Sequence, residues 1–280
     1  MIGILCSRVR IEEKLIFASL RKRKARFISI DPRNLFLNWE KDLNDKIKLI
    51  FNREISQTRA ELILEYLNKK GIQTVNSSQS TRICNNKALC TWELQKNHIP
   101  VLKTIVAFSI EEAVIKAKRL GYPVVAKPII GSWGRLLAKI DNQETLESIL
   151  EHKEALNSPY HSIFYLQPYV DKPGRDIRVL MINKEPVAAM YRQSSHWITN
   201  TAKGATPKKL KLNPELINLT KKVAEILDVE IAGIDIIETD SDYKVLEVNS
   251  TVEFHGLQSV SSINIADEIV DYLVLKEKTL

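Results

Sequence analysis

The first 76 residues alternate between short apolar runs rich in β-branched residues and longer amphipathic stretches. Alternating strands and helices are typical of a mostly parallel sheet with helices on its faces. The predicted strands are Ile2–Cys6, Phe27–Asp31, Lys48–Ile55 and Gln73–Asn76, and the predicted helices are Glu12–Arg23 and Ser56–Lys70. The first strand is not followed by a Gly-x-Gly-x-x-Gly turn. A Rossmann cofactor site is therefore not expected.

The middle of the chain has a different pattern, in which helices surround a hairpin. Ser109 with Glu112, and Asp141 with Glu144, have the spacing of capping boxes at helix starts. The predicted helices are Asn85–His98, Ser109 to Gly121 and Asp141 to His152, and the predicted strands are Val101–Phe108 and Ser162–Val170. These elements predict a small α+β lid over about residues 99–165, with two helices on one side of its sheet.

In the last third of the chain, apolar and polar residues alternate, which predicts strands that pair in hairpins. The predicted strands are Asp176–Asn183, Pro186–Gln193, Ile231–Glu238 and Tyr243–Asn249, with a polar loop at His196–Lys209. Asn213 followed by Pro214 is a favourable start for a long helix. A final amphipathic helix is predicted from about Ile265 to Lys276.

A glycine-containing loop lies between two apolar runs in the segment from Val124 to Ile140. We interpret it as a strand, a flexible loop and a second strand that begins near Arg135, with Lys127 at the end of the first strand. Gly131 and Gly134 allow backbone N–H groups to approach an anion closely. The segment lacks the spacing of a Walker A loop. A simple hairpin with a solvated lysine also fits this segment when it is considered alone.

The predicted hairpin near the C-terminus carries three oxygen-bearing side chains within apolar strands. If residues 239–242 form its turn, Asp235 lies opposite Glu247 to within one residue, and Asn249 points to the same face as Glu247. Two carboxylates on one face repel each other unless a cation lies between them, and these oxygens suit Mg²⁺ or Mn²⁺. Salt bridges to neighbouring lysines fit about equally well. Together with Lys87, Lys127 and the glycine loop, the hairpin favours a clamped nucleoside triphosphate.

Composition narrows the class of protein but does not identify a ligand. The 280 residues are 44% hydrophobic and 27% charged, as in an ordinary globular protein with two or three subdomains. Since there is no long apolar run and no basic N-terminal region before an apolar segment, a cytoplasmic protein is expected. Cys6, Cys84 and Cys90 lack the spacing of a zinc site. The net charge of +7 favours an anionic partner.

At this point the sequence resembles the ATP-grasp superfamily along its whole length, and within it the group of ligases that contains LysX, ArgX and RimK, with LysX-type members the most similar. The matching motifs are Asn86-Lys87-Ala, Ala126-Lys127-Pro-Ile-Ile-Gly-Ser-Trp-Gly-Arg135-Leu, Glu151-His-Lys-Glu, Gly174-Arg-Asp-Ile-Arg178-Val, Tyr191-Arg192, His196-Trp-Ile-Thr-Asn200-Thr-Ala-Lys-Gly204 and Glu247-Val-Asn249-Ser-Thr-Val-Glu253-Phe254. The resemblance implies a mixed α/β and α+β fold with three subdomains: a parallel α/β domain at 1–84, a central α+β lid at 85–170 and a mostly antiparallel α+β domain at 171–280.

The resemblance also implies roles for individual residues. The residues expected to bind ATP are Lys87, Lys127, Gly131, Ser132, Trp133, Gly134, Arg135, Gln167, Tyr169, Val170 and Asp176; Asp235, Glu247 and Asn249 would bind Mg²⁺ or Mn²⁺; Arg178, Arg192 and Asn200 would act on the phosphoryl and substrate oxygens; and Arg192, Thr251, Glu253 and Phe254 would contact substrate. Two positions depart from the usual pattern. Pro168 replaces a residue with an N–H donor in the expected adenine hinge, and Lys203 replaces an arginine.

For this group the resemblance implies a carboxylate that attacks the γ-phosphate of ATP, and an amine that then attacks the acyl phosphate. The expected partners are a small acidic LysW-like amino-group carrier protein and α-aminoadipate, with glutamate as the alternative amino acid. A homo-oligomer is expected, and neither nucleic acid nor membrane is expected as a partner. Two further hypotheses stay open from the sequence: a RimK-like ligase that adds glutamate to a protein tail, and a non-catalytic, nucleotide-responsive RNA-binding protein.

Overall fold

The N-terminal sheet is parallel, as the alternating pattern predicts. The computed structural model describes residues 1–40, 46–131, 134–156, 158–239 and 242–280. The strands β1 (Ile2–Leu5), β2 (Phe27–Ile30), β3 (Leu49–Asn52) and β4 (Gln73–Val75) lie in the order β2-β1-β3-β4, with helices α1 (Ile11–Lys22) and α2 (Gln57–Lys69) in the connections. Each neighbouring pair of strands is parallel. The carboxyl ends of β1 and β3 therefore face the same edge of the sheet.

The connection to the lid is made of two short helices where the sequence predicted one. Helix α3 spans Ser78–Asn85, and α4 spans Lys87–Lys96. Asn86 separates them, because its extended backbone interrupts the helix and its side chain accepts hydrogen bonds from the N–H groups of Ala88 and Leu89. Asparagine is a favoured N-cap for this reason. The break places Lys87 in the first turn of α4.

The lid is a four-stranded antiparallel sheet with two helices. Its elements are β5 (Ile105–Ala107), α5 (Ile110–Leu120), β6 (Val124–Lys127), β7 (Ala138–Ile140), α6 (Gln143–Glu154) and β8 (Phe164–Pro168), in the strand order β5-β8-β6-β7. The predicted hairpin forms, with Val124 opposite Ile140. Its second strand begins at Ala138 and not near Arg135, which lies in a turn. Asn142, and not Asp141, caps α6.

The C-terminal sheet is antiparallel and carries one strand that the sequence did not predict. Its elements are β9 (Arg175–Ile182), β10 (Glu185–Gln193), β11 (Thr206–Leu210), α7 (Pro214–Ile226), β12 (Ile231–Glu238) and β13 (Tyr243–Asn249), followed by α8 (His255–Gln258) and α9 (Ile265–Lys278). The strand order is β11-β10-β9-β12-β13. The predicted polar loop His196–Lys209 is thus wrong over its end, because β11 pairs with β10 at the edge of the sheet.

A shared apolar core joins the N-terminal sheet to the C-terminal sheet. The cluster contains residues of β1, α1, β9, β12 and α9, together with Val252 and Phe254. Phe254 is fully buried in this cluster. Its role as a substrate contact stays a prediction. Its aromatic side chain fixes the segment after β13 against the N-terminal domain.

Asn76 forms a polar connection between the same two sheets, and replacing it tests the connection. Its buried amide donates to the carbonyls of Ile231 and Ser250 and accepts from the N–H groups of Glu230 and Ile231. We expect Asn76→Ala to lower the free energy of unfolding by about 3 kcal/mol, because it leaves buried backbone groups unpaired.

Urea unfolding measures this change, and exposed Asn97, which bonds to Glu93, supplies the control. Asn97→Ala should change the free energy of unfolding by less than about 0.5 kcal/mol. An equally small loss in Asn76→Ala would contradict the proposed role of the amide.

Candidate active site

A cleft of about 860 Å³ separates the lid from the C-terminal sheet, and we call it the first cleft. It collects most of the residues predicted to bind nucleotide or metal: Lys87, Lys127, Gly131, Gly134, Arg135, Gln167, Tyr169, Val170, Asp176, Arg192, Asn200, Asp235 and Glu247. Apolar side chains from both lobes, including Leu102, Ile237 and Leu246, also line it. A cleft with apolar walls and a few convergent charges is typical of a small-molecule site.

At the end of β8, where the resemblance places the adenine hinge, two of the three backbone positions from 168 to 170 cannot donate a hydrogen bond to a ligand. Pro168 has no N–H group, and the Tyr169 N–H donates to the carbonyl of Pro123 at 2.9 Å. Within the described parts of the chain, the Val170 N–H has no protein acceptor. Val170 is therefore the best-placed donor for a ligand at this end of the first cleft.

Lys127 is a half-buried cation at the end of β6. Its Nζ donates to Oε1 of Gln167 at 2.7 Å. The Gln167 amide is fixed in turn, since its Nε2 donates to the hydroxyls of Thr104 and Tyr165. Burial lowers the pKa of Lys127 to about 8. An anion beside Lys127 would relieve this cost, so the site is suited to a phosphate.

Lys87 reaches the glycine loop from the first turn of α4. Its Nζ donates to the carbonyl of Gly131 at 2.7 Å and lies 3.7 Å from Oε2 of Glu247. Gly134, in the same loop, has a φ of 63°, and an added Cβ would lie 3.2 Å from Oδ1 of Asn200. The loop therefore touches both lobes, and a side chain at Gly134 would be strained and crowded.

Asp235 on β12 is neutralised by two arginines, one on the adjacent strand β9 and one on β10 beyond it. Arg178 on β9 donates to both of its carboxylate oxygens at 2.7 and 2.8 Å, and Nη2 of Arg192 on β10 is 3.0 Å from Oδ2. Burial alone would raise the pKa of Asp235, but the two guanidinium groups outweigh it and lower the pKa to about 2. The carboxylate is therefore charged at neutral pH.

A second buried network holds Arg192 from its other side. Asp176 accepts two bonds of 2.7 Å from Arg192, and the hydroxyl of Thr199 donates to the same carboxylate at 2.5 Å. Lys172 donates to the Thr199 hydroxyl at 2.6 Å. Burial lowers the pKa of Lys172 despite the nearby Asp176. Lys172, Trp197 and Thr199 also line the first cleft, although no site role was predicted for them. Trp197 and Thr199 lie within the matching motif His196–Gly204.

A second cleft of about 980 Å³ adjoins the first and shares a wall with it. The shared residues are Lys87, Gly131, Arg192, Asn200 and Glu247; the second cleft adds the predicted Arg178, Asn249, Thr251 and Glu253, and the unpredicted Arg10, Glu54, Gln57 and Thr201. The sequence did not indicate a role for the N-terminal domain in this wall. Its residues reach the cleft because the carboxyl ends of β1 and β3 face it.

Family comparisons identify the arrangement. A sequence model of the RimK-like ATP-grasp domain matches residues 84–273, and one of the LysX preATP-grasp domain matches residues 2–83. The chain belongs to the RimK-like ATP-grasp family. The resemblance found in the sequence and the predicted fold class are confirmed.

Individual relatives cover most of the chain. The α-aminoadipate–LysW ligase LysX of Saccharolobus solfataricus is 37% identical over 231 residues, which are 82% of this chain and 84% of that protein. The glutamate–LysW ligase ArgX of Sulfurisphaera tokodaii is 32% identical over 268 residues, 95% of each chain. The crystal structure of a RimK domain ATP-grasp protein from Sphaerobacter thermophilus has a TM-score of 0.83 at 21% identity, covering 97% of this chain and 98% of that one. This last likeness shows the fold alone.

ATP-grasp ligases use ATP and divalent metal ions, and the acidic hairpin of this chain carries oxygen ligands of the kind that such ions take. Asp235 lies directly opposite Glu247, as predicted, and Nδ2 of Asn249 is 3.4 Å from Oε1 of Glu247. Among the described residues, no group of three or more His, Cys, Asp or Glu side chains is placed to hold a metal. Two carboxylates and one amide nevertheless fit a hard ion that takes its other ligands from phosphates and water.

Ser132 and Trp133, predicted to contact ATP, lie outside the described residues. The ligand roles given to the clustered residues, and the subdomain boundaries at 84 and 170, stay predictions. Their placement shows which side chains share a cleft.

Proposed function

We propose that this protein is an ATP-dependent ligase that joins the amino group of α-aminoadipate to the C-terminal glutamate side chain of a LysW-like carrier protein, in lysine biosynthesis. The observation that carries the proposal is the shared wall between the two clefts, where Lys87, Arg192 and Glu247 face both. A phosphate donor in the first cleft and a carboxylate in the second would meet at this wall. The names of the relatives supply the substrate class.

The chemistry needs positioning and charge neutralisation more than a reactive side chain. A carboxylate oxygen of the carrier forms a bond to the γ-phosphorus of ATP, and ADP leaves. The amine then forms the C–N bond, loses a proton and expels phosphate from the acyl carbon. Lys87 and Lys127 would hold phosphate oxygens, and Arg178, Arg192 and Asn200 would stabilise the oxyanions. Asp235, Glu247 and Asn249 would hold Mg²⁺ or Mn²⁺, which supplies further charge neutralisation when bound.

Selectivity between the two amino acids depends on a small difference between their side chains. The segment Thr251-Val252-Glu253-Phe254 resembles aminoadipate-type ligases, and His255-Gly256-Leu257 resembles the glutamate type. Relatives of both kinds match the chain at 37% and 32% identity. One methylene separates the substrates, which is worth only about 1–3 kcal/mol in a pocket. We propose aminoadipate as the preferred substrate, with glutamate as the second candidate.

The proposed partners follow from the relatives and from charge. A carrier protein of acidic composition complements the net charge of +7. We also propose a homo-oligomer without nucleic acid. In the described part of the chain, no helix combines the length and apolar character required to cross a bilayer.

A carrier-modification assay tests the proposed function. We expect that the protein, incubated with Mg-ATP, a LysW-like carrier and α-aminoadipate, will release ADP and add one aminoadipyl group to the carrier, as measured by intact mass. Parallel incubations contain glutamate or no amino acid. An adduct with glutamate alone would overturn the aminoadipate assignment, and the absence of an adduct with either amino acid would overturn the proposed reaction.

A further inference from the structure

Arg10 belongs to the second cleft but not to the first. It precedes α1 at the edge where the carboxyl end of β1 faces the C-terminal sheet, and it lines the cleft together with Thr251 and Glu253. Arg178 and Arg192, the other two arginines of this cleft, are held by Asp235 and Asp176 near the nucleotide side. Arg10 is thus the guanidinium placed to bind a substrate group that lies away from the phosphates.

The contacts of Arg10 leave two N–H groups of its guanidinium without a protein acceptor among the described residues. Nε and Nη2 donate to the two carboxylate oxygens of Glu13, and Nη1 donates to Glu253 at 2.9 Å. A guanidinium has five N–H groups, and these contacts use three. Within the described chain no other acceptor contacts Arg10, so Nη1 and Nη2 each keep one N–H. These two remaining N–H groups of one guanidinium can both donate to a ligand carboxylate.

Buried neighbours hold Arg10 in this orientation. Glu13 is fully buried, and Nε of Arg53, itself only 1% exposed, donates to Glu13 at 2.8 Å. Arg53 also donates to the carbonyl of Val252, which ties the network to the segment after β13. Because Glu13 already holds the guanidinium of Arg10 in place, Arg10 would lose little side-chain entropy when it binds a ligand. The network therefore resembles a preorganised site more than a mobile surface ion pair.

We propose that Arg10 binds the side-chain carboxylate of the amino-acid substrate and so selects dicarboxylic amino acids. This inference rests on the proposed function, since both candidate substrates, aminoadipate and glutamate, carry such a carboxylate. Glu253, which is 29% exposed, is the neighbouring group that keeps the Nη1 edge aligned. The α-amino group of the substrate would then point to the wall shared with the first cleft.

The test compares charged substrates with their neutral amides in wild type, Arg10→Gln and Arg10→Lys. Glutamate is paired with glutamine, and α-aminoadipate with its side-chain amide. For Arg10→Gln we expect kcat/KM for the dicarboxylic amino acid to fall about 10- to 100-fold, with KM for ATP unchanged. The preference for acid over amide should shrink by the same factor. Arg10→Lys should give an intermediate preference, because lysine keeps the charge but not the paired donors.

Arg33→Gln is the matched control, since Arg33 is exposed, pairs with Asp31 and lies outside both clefts. An acid-over-amide preference equal to that of wild type in Arg10→Gln would overturn the proposal. So would an equal rise in KM for ATP and for the amino acid, which indicates a structural role only. If Arg10→Gln does not fold, an unchanged preference in Arg10→Lys overturns it. Failure of wild type to modify any carrier would instead refute the proposed function, because the Arg10 comparison requires an active wild type.

Discussion

Replacement of Asp235 by asparagine is expected to lower the rate of ADP formation about 100-fold or more and also to destabilise the protein. The rate falls for two reasons. Asp235 orients Arg178 and Arg192, and it supplies one of the three oxygen ligands of the proposed metal site. Removal of one partner from a buried ion pair leaves buried charge without compensation. The loss of unfolding free energy should be about 3 kcal/mol.

The stability effect of Asp235 has a defined pH dependence. Its pKa in the folded protein is about 2, below the ordinary value of 3.8. The unfolded chain therefore binds more protons in this range, so the stabilisation is fully present above the ordinary pKa and is lost as the pH falls toward 2. The difference in unfolding free energy between wild type and Asp235→Asn should be constant from pH 7 to about 5 and smaller near pH 3.

Single-turnover ADP formation and urea unfolding at several pH values measure the two effects. Asp228→Asn is the control, because Asp228 is 70% exposed and pairs only with Lys184 among the described side chains. It should leave both the rate and the stability within error of wild type. Wild-type turnover in a folded Asp235→Asn protein would exclude Asp235 from the phosphoryl site.

Local patterns predicted much of this fold. The placement of Asp235 opposite Glu247 to within one residue follows from strand alternation and the short turn. A β-bulge between Asp235 and Ile236 brings the two residues directly opposite each other. The start of α7 was predicted correctly because Asn213 caps the helix with its own side chain. In contrast, β11 was missed because an edge strand needs no apolar face, and its lysines look like those of a loop.

The basic side chains that neutralise Asp235 could not be predicted from local sequence patterns. Asp235 contacts Arg178 because β12 lies beside β9, and Arg192 comes from β10 on the far side of β9. These neighbours depend on the order of strands in the sheet, which spacing along the sequence does not reveal. The sequence predicted that the carboxylates need a cation, and both a metal and basic side chains were considered. In the structure arginines compensate Asp235, while among the described side chains Lys87 is the basic group beside Glu247, at 3.7 Å.

Replacement of Lys127 by methionine should weaken ATP binding but leave the free energy of unfolding nearly unchanged. We expect ATP affinity at pH 7 to fall about 10- to 100-fold, because a charge-assisted contact to phosphate is lost. The free energy of unfolding should change little. Removal of a poorly solvated ammonium is favourable, while the loss of its bond to Gln167 leaves one buried oxygen unpaired.

Both the ATP affinity and the stability of the wild-type protein should change with pH because of Lys127. With a folded-state pKa near 8 instead of 10.5, Lys127 loses its proton in the free protein as the pH rises through 8. ATP binding favours the protonated form, so wild-type affinity for ATP should decline above about pH 8. Because the unfolded chain still binds that proton, wild-type stability relative to Lys127→Met should rise between pH 8 and 10.5.

Lys153→Met is the matched control for Lys127→Met. Lys153 is buried, its pKa is likewise lowered by burial, and its Nζ has no hydrogen-bond partner among the described residues. It lies on α6 of the lid, outside both clefts. The control should raise stability and leave ATP affinity unchanged, as measured by isothermal titration calorimetry with a non-hydrolysable ATP analogue. Equal effects of the two substitutions on ATP affinity would mean that Lys127 acts through lid packing and not through the phosphates.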